Sequence, residues 1–447
     1  MMQNTEYPIS VFIETLGCPK NQNDSQFAMG VLEKAGFSFV DSPEEADFVM
    51  VNTCGFIEDA KKESIDRIFE MASRKKSDAK LVVAGCLAQR YAEELSQEMP
   101  EAACFVGINE YHRLPEIFSS LNQKSSASIY TSQCDLDYLE STVRKISDNP
   151  YSETIKIAEG CNNRCTYCVI PYIRGKYRSK RIEDIIKEAE NLASNGCKEL
   201  VLIAQDVTYY GLDLYGEFKL HELLIELEKI EGIEWIRLLY CYDERITDEL
   251  INVMAKSKRV CPYIDIPLQH ASDKVLREMN RKSTNSSIRE VVQKLREKIP
   301  GIAIRTTFIV GFPGETEDDY EDLVKLVEDL KFDRLGVFAY SQEEGTPAGE
   351  RTDQIDQETK QRRLDGIMMR QMDISLRSNQ EKIGKTLRVI VDETQTDGSY
   401  IGRTIYDAPE IDNEVIFVSD RALSPGDMVD VLITDAFDYD LVGKEVS

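Results

Sequence analysis

Three cysteines constrain the middle of this chain more than any other feature: Cys161, Cys165 and Cys168, in the run Glu159-Gly160-Cys161-Asn162-Asn163-Arg164-Cys165-Thr166-Tyr167-Cys168. Thiolates at this spacing can reach three irons of a four-iron cubane and leave the fourth open, unless a distant residue fills it. Sites that only hold a fold together normally close every metal position. An open iron is a place for chemistry. A zinc knuckle, or three cysteines sharing a turn, is the alternative. The Gly-Cys-Asn start and the strand-like run before it favour the cluster.

Length and charge bound the rest. A chain of 447 residues suggests about three domains, and 42% apolar content is ample for packed cores. No apolar run approaches the length needed to span a bilayer. The opening residues Met1 to Pro8 lack the basic-then-apolar layout of a secretory leader, so a cytoplasmic location is expected. Eleven cysteines, an odd count spread through mid-chain, argue for metal ligation or buried thiols in a reducing compartment. A net charge of −26 disfavours nucleic acid and favours a basic protein partner, with simple solubility as the plain alternative.

Along the chain, residues 1–145 alternate between strand-like runs (Ser10–Thr15, Phe48–Asn52, Leu81–Ala84) and stretches of helical period (Asp24–Ala35, Ala60–Ser73, Arg90–Met99). Such alternation implies a parallel sheet wrapped by helices. Ser119 to Asn149 is polar and serine-rich, a linker with room for an isolated strand. Across 146–377 the alternation resumes. Candidate strands are Thr154–Ala158, Leu200–Ala204, Trp235–Cys241, Tyr263–Pro267, Ile302–Val310 and Arg334–Tyr340. Helical stretches lie at Ile182–Ser194, Leu220–Ile230, Asp248–Lys256, Glu317–Leu330 and Gln357–Ser375. Six β/α units predict a closed or partly closed parallel barrel with its site at the C-terminal strand ends. The Cys161 run falls just past the first of them. Residues 378–447 change style, with four short strands (Leu387–Asp392, Tyr400–Ile405, Glu414–Val418, Met428–Asp435) and no helix between them. That pattern predicts a small all-β barrel.

A second cysteine set has no local motif. Cys18, Cys54 and Cys86 each sit where a strand hands over to a loop, with a glycine adjacent: Gly17-Cys18, Cys54-Gly55 and Gly85-Cys86. C-terminal strand ends of a parallel sheet share one edge, where ligands bind, so the three can converge. Helix N-terminal amides beside them would favour an anionic cluster. Three independent buried thiols are the alternative. Cys104, Cys134, Cys197, Cys241 and Cys261 show no shared context and are expected to be ordinary buried thiols. The three histidines, His270 included, are expected to be structural.

Over essentially its whole length the pattern resembles the methylthiotransferase branch of the radical S-adenosylmethionine (SAM) enzymes. The resemblance implies an α/β protein: an N-terminal parallel α/β domain, a radical SAM partial (β/α)6 barrel, and a C-terminal TRAM-type β-barrel. Two [4Fe–4S] clusters are implied, an auxiliary one on Cys18, Cys54 and Cys86 and the radical SAM one on Cys161, Cys165 and Cys168. The run Ile309-Val310-Gly311-Phe312-Pro313-Gly314-Glu315-Thr316 resembles the turn that cradles the SAM adenine, with a plain glycine turn as the alternative. Ile266 to His270 resembles the strand end near the ribose. Tyr167, Gln205, Asp206, Gln269, Arg305, Gly311 and Gly314 are thereby expected at the SAM site, with no catalytic residue beyond the cluster ligands.

Within that family, Gly17-Cys18-Pro19-Lys20-Asn21, Gln269-His270-Ala271-Ser272, Phe338 to Gly345 and Asp407 to Asp412 resemble one branch. It modifies an aspartate of small-subunit ribosomal protein S-twelve; the other branch modifies a transfer-RNA adenosine. Gln26 departs from the pattern, where Glu often follows Asp-Ser. The resemblance implies hydrogen abstraction from the aspartate β-carbon, transfer of a methylthio group held on the auxiliary cluster, and two SAM molecules consumed. An electron donor such as flavodoxin or ferredoxin is implied; strong nucleic-acid binding and membrane association are not expected.

Two charge patterns add expectations. Six basic residues and no acidic one lie between Arg164 and Arg181: Arg164, Arg174, Lys176, Arg178, Lys180 and Arg181. They could hold a carboxylate substrate or the cluster's negative charge, and a solvated loop explains them equally. Residues 378–447 carry six basic and fifteen acidic groups, a net −9. That would repel RNA, and Asp407, Glu410 and Asp412 are expected to dock the basic protein substrate.

Overall fold

The computed structural model describes residues 9–121, 127–132 and 143–446. The chain forms two compact units, which cut across the three consecutive domains expected from sequence. The first gathers residues 1–147, 158–185 and 341–346; the second gathers 148–157, 186–340 and 347–447.

The first unit is built on a parallel sheet of six strands in the order β2-β1-β3-β4-β5-β6. They are β1 (Ser10–Thr15), β2 (Ser38–Phe39), β3 (Phe48–Thr53), β4 (Lys80–Gly85), β5 (Ala102–Val106) and β6 (Ser128–Tyr130). The helices are α1 (Pro19–Lys34), α2 (Glu58–Arg74), α3 (Cys86–Glu98) and α4 (Leu114–Leu121). Every residue of β3 is buried, as a central strand covered on both faces requires. Val11, Phe48, Met50, Val82 and Ala84 pack with α1 and α4 on one face, while Val49, Val51, Leu81 and Val83 pack with α2 and α3 on the other. Two of the six strands, β2 and β5, had no strand signal in the sequence, β2 because it is only two residues long and β5 because it reads as a mixed run after Pro100. β6 is an isolated strand of the kind that the serine-rich linker had room for. Part of the serine-rich linker, and Cys134 with it, lies outside the described residues.

The chain passes through β7 (Ser152–Lys156) of the second unit and returns to the first with β8 (Ala158–Glu159), α5 (Ile170–Arg174) and β9 (Arg178–Ser179). The single strand expected over Thr154–Ala158 is thus two: β7 pairs with β10, and β8 pairs antiparallel with β9. α6 (Ile182–Ser194) then leads into the second unit.

There the strands are β10 (Glu199–Ile203), β11 (Trp235–Leu238), β12 (Tyr263–Gln269), β13 (Ala303–Val310) and β14 (Arg334–Ala339). Together with β7 they make two parallel runs, β7-β10-β11 and β12-β13-β14. A bridge between Ile236 and Val260 and the Cys241 N–H donating to the Asp265 carbonyl link the runs into the partial barrel. Its helices are α7 (Leu212–Tyr215), α8 (Leu220–Leu227), α9 (Asp248–Lys256), α10 (Asp273–Glu278), α11 (Asn285–Lys298), α12 (Glu317–Leu330) and α13 (Gln357–Gln380). α11 escaped the sequence reading because polar residues, from Asn285 to Arg289, crowd its first turns.

The chain ends in a closed barrel of β15 (Thr386–Thr394), β16 (Tyr400–Thr404), β17 (Val415–Val418), β18 (Met428–Ala436) and β19 (Leu441–Glu445). This barrel meets the parallel strands through buried ion pairs. Glu199 accepts from Arg237 Nε at 2.8 Å and from Arg403 Nη2 at 2.9 Å. Arg334 pairs with Asp407, and Arg305 with Asp265 and Asp412. Tyr263 donates to Asp412 at 2.6 Å.

Two expectations are corrected here. Asp407 and the Asp412 carboxylate are buried against Arg334 and Arg305, so they cannot dock a substrate. Only Glu410 of that trio is exposed. Arg305 is not a SAM contact. It stands near the start of β13, at the end of the strand away from its C-terminus, and its charge is consumed by the two aspartates. A desolvated arginine is held only where carboxylates pair it, which accounts for acidic residues that the sequence showed only as net charge.

Burial alone would raise the Glu199 carboxyl; Arg403 and Arg237 outweigh it and hold it at about 2. A depressed carboxyl contributes stability above its ordinary value of 4.5, and that contribution is lost as pH falls through about 2. Glu199→Gln leaves two buried guanidiniums short of a partner and should lower stability at neutral pH by about 3 kcal/mol. Urea unfolding followed by hydrogen exchange in β16 should show this, with a flatter acid limb below pH 4.5. Charge reversal at Asp407 and Asp412 should likewise destabilise the unit.

Candidate metal centre and cofactor site

Register brings the first cysteine set together. β1, β3 and β4 are neighbours, with Thr15 level with Asn52 and Thr53 level with Gly85. Cys18, Cys54 and Cys86 therefore leave the sheet side by side along one edge. Cys18 is the residue before α1 and Cys86 is the first of α3. Gly17 has φ +92°, and a Cβ there would sit 2.9 Å from the Cys54 Cβ, so the loops approach as closely as glycine allows. Asn21 ties them, its Nδ2 donating to the carbonyls of Leu16 (2.9 Å) and Thr53 (3.1 Å). Ser64 both accepts from the Cys54 N–H and donates to its carbonyl.

The start of α1 buries Lys20, Asn21, Asn23, Asp24 and Ser25. An apolar core would not take five polar residues; a polar site does. Burial pushes the Cys86 thiol up to about 12, with Cys54 and Cys18 close enough to add to the rise and Arg174 opposing it. Burial also raises Cys54, and Cys18 adds to it. Gathered thiols in such a setting ionise only with a positive centre among them, which a cluster's irons provide. Among the described residues no three His, Cys, Asp or Glu side chains draw together tightly enough for a single metal ion. A cubane is a wider body than one ion, and the donor set suits it.

The second set lies in the same unit, between β8 and α5. The Cys161 N–H donates to the Gly175 carbonyl at 3.0 Å, the Cys168 N–H to the Cys165 carbonyl at 3.1 Å, and the Asn163 N–H to Cys161 Sγ at 3.4 Å. Burial raises the Cys168 thiol, with Cys165 and then Cys161 adding to it, which puts all three in one locality. Gly160 has φ +76°, and a Cβ there would run into the Lys176 carbonyl and lie 2.7 Å from that of Gly175. Tyr167 is half-buried beside Cys168. Val169 and Ile173 pack against Cys86 and Ile108, so the two cysteine sets share one apolar floor.

The basic stretch divides. Arg174 and Lys180 are buried, whereas Arg164, Lys176 and Arg181 are exposed. Arg174 is 1% exposed. Its Nη1 donates to Glu159 at 3.0 Å, and its Nη2 to Asp24 and Asn21, each at 2.9 Å, and to Cys86 Sγ at 3.4 Å. Sequence reasoning placed Arg174 in the right stretch but missed Asp24 and Glu159 as its partners. Asp24 lies 150 residues from Arg174, and even Glu159, 15 residues away, stands outside any local motif. A third segment, 341–346, closes the unit. Glu343, 2% exposed, accepts from Lys61 and Arg90, each at 3.1 Å, and Arg90 also donates to the carbonyls of Gly55 and Glu344.

The other SAM-side candidates lie in the second unit, at or near strand ends. Gln205 follows β10, and its Nε2 is buried without a hydrogen-bond partner, a donor waiting for an acceptor. Gln269 ends β12 with φ +72°, a strained backbone of the kind found at binding sites. Asp206 spends its carboxylate internally, accepting from Thr208 and Tyr209 and pairing with Arg245 at 2.6 Å, so its part is to fix the loop. Gly311 and Gly314 both have positive φ, and the space beside them is filled by Lys360 and by Arg351 with Asp353. His270 is fully buried, its Nδ1 accepting from the Ser272 N–H, and burial lowers it to about 3. Cys104, Cys197, Cys241 and Cys261 are buried thiols apart from these groups.

A parallel barrel entered through a Cys-x3-Cys-x2-Cys loop defines a radical SAM protein, and residues 155–327 match the radical SAM superfamily. Residues 10–107 match uncharacterized protein family UPF0004, and residues 383–446 match the TRAM domain. The ribosomal protein uS12 methylthiotransferase RimO of Clostridioides difficile is 49% identical over 437 residues, 97% of this chain and 98% of that protein. RimO of Desulforamulus reducens is 48% identical over 97% of this chain and 99% of its own. The chain belongs to the RimO family. Among solved structures, the radical SAM methyltransferase TsrM of Kitasatospora setae superposes with a TM-score of 0.55 at 16% identity, over 77% of this chain and 74% of that one. The cobalamin-dependent enzyme OxsB gives 0.51 at 12% identity, over 82% and 56%. Both likenesses are of fold. An iron–sulfur cluster and SAM are the cofactors of the class. Among the described residues no helix is long and apolar enough to cross a membrane.

Gly160→Ala tests the loop geometry. The added methyl must displace the Lys176 carbonyl, so the loop of Cys161, Cys165 and Cys168 should bind less iron after anaerobic reconstitution, read by iron assay against the parent chain.

Proposed function

We propose that this chain is a radical SAM methylthiotransferase that adds a methylthio group to the β-carbon of an aspartate in ribosomal protein uS12. The observation that carries the proposal is the presence of two three-cysteine sets in one compact unit, in a chain that matches RimO proteins end to end. Cys161, Cys165 and Cys168 would hold the radical SAM cluster, and Cys18, Cys54 and Cys86 the auxiliary one. When bound, these groups supply a hydrogen-abstracting radical and the methylthio unit, chemistry that no side chain can provide at an unactivated carbon.

The chain's own residues bind, orient and shield. Three thiolates per set would leave one position of a cubane without a ligand from the chain. The orphaned Gln205 donor suits SAM recognition, and Tyr167, Gln269, Gly311 and Gly314 are further proposed contacts. Asn21, Ser64 and Arg90 lock the loops that carry Cys18 and Cys54. Burial of Cys86, Cys161 and Cys165 keeps bulk water from the sulfurs. The electron is proposed to come from a flavodoxin- or ferredoxin-type donor. The substrate is proposed to be protein, since the acidic C-terminal barrel opposes nucleic acid.

Anaerobically reconstituted protein should hold about eight irons per chain, and Ala at all three positions of either set should leave about four. Incubation with SAM, sulfide, reductant and uS12 should add one methylthio group to an aspartate, read by mass spectrometry of its peptides. Four irons in the unmutated chain, or modification of transfer RNA in place of uS12, would refute the proposal. Air exposure should strip iron and activity together, and anaerobic reconstitution should restore both.

A further inference from the structure

We infer that Arg174 is a positioning residue that sets the reduction potential of the cluster held by Cys18, Cys54 and Cys86. The inference rests on the two-cluster proposal above. Its geometry is unusual for an arginine. One guanidinium nitrogen, Nη2, donates toward Cys86 Sγ at 3.4 Å and to Asn21 and Asp24 at 2.9 Å; the other, Nη1, donates to Glu159 Oε2 at 3.0 Å. Glu159 in turn accepts from the Gly160 N–H at 3.0 Å, next to Cys161. A continuous path of hydrogen bonds and one peptide link therefore runs from a ligand of one set to a ligand of the other. The side chain is buried, so its charge is little screened by solvent.

A cation donating an N–H to a cluster ligand's sulfur stabilises the more negative, reduced state and raises the potential. Lysine could supply the charge, but only the planar fork of arginine can face Cys86, Asp24 and Glu159 together. The two carboxylates keep the guanidinium in place, and they also limit how far it can neutralise the cluster. Val169 and Ile173 are apolar and pack on Cys86 itself.

The test uses the full chain with Cys161, Cys165 and Cys168 replaced by Ala, anaerobically reconstituted so that one cluster remains. Its midpoint potential is read by redox titration with electron paramagnetic resonance. Arg174→Gln should make the cluster harder to reduce by about tenfold in the equilibrium, which is about 59 mV for one electron. Arg174→Lys keeps the buried charge, guards against a failure to fold, and should fall between the two. A loaded cluster with the parent potential in both variants overturns the inference and leaves the two-cluster proposal standing. Loss of loading in both variants also overturns it, because Arg174 would then be a strut and not a tuner. A parent chain that takes up no cluster overturns the proposal itself, and the inference with it.

Discussion

Parallel pairing of β1, β3 and β4 is the constraint on which the rest depends. Parallel strands in register end level with one another, so three cysteines more than thirty residues apart in sequence arrive side by side without any local motif. No other common arrangement of strands delivers this. In an antiparallel sheet, successive strand ends alternate between edges. The polar start of α1, the small residue at position 17 and the buried Arg174 all answer to that edge.

Charge is managed differently in the two units. The first spends a guanidinium and several amides on a nest of thiols. The second uses three arginines, Arg305, Arg334 and Arg403, to join a β-barrel to the parallel strands. Part of the large acidic excess is thus internal mortar. The barrel's net charge remains negative, but its most suggestive aspartates face inward.

Much of this was legible from sequence because the signals were periodic or closely spaced. The β/α alternation gave the parallel sheets, the ends of α6, α9 and α12 were read to the residue, and Cys161, Cys165 and Cys168 announced themselves by spacing. What stayed hidden was long-range. α1 begins right after Cys18, several residues before its apolar period starts, because its first turns are polar and serve the site, and α3 begins at Cys86 itself, ahead of the period read from Arg90. Arg305 looked like a ligand contact, since a strand residue's height in a barrel depends on register with its neighbours. Asp407 and Asp412 looked exposed, because aspartates usually are.

The segment 341–346 has a consequence for how the molecule is made. Glu343 locks Lys61 and Arg90 in the unit that begins the chain, yet it is synthesised long after them. The nascent N-terminal sheet emerges from the ribosome with its cysteine edge unfinished, and waits for the whole parallel barrel to be translated before its last ion pairs can form. Domains usually fold as they appear, N-terminal first. Here the unit that carries Cys18, Cys54 and Cys86 is completed only after Glu343 has been made, so the period in which those thiols stand open is set by elongation as well as by folding.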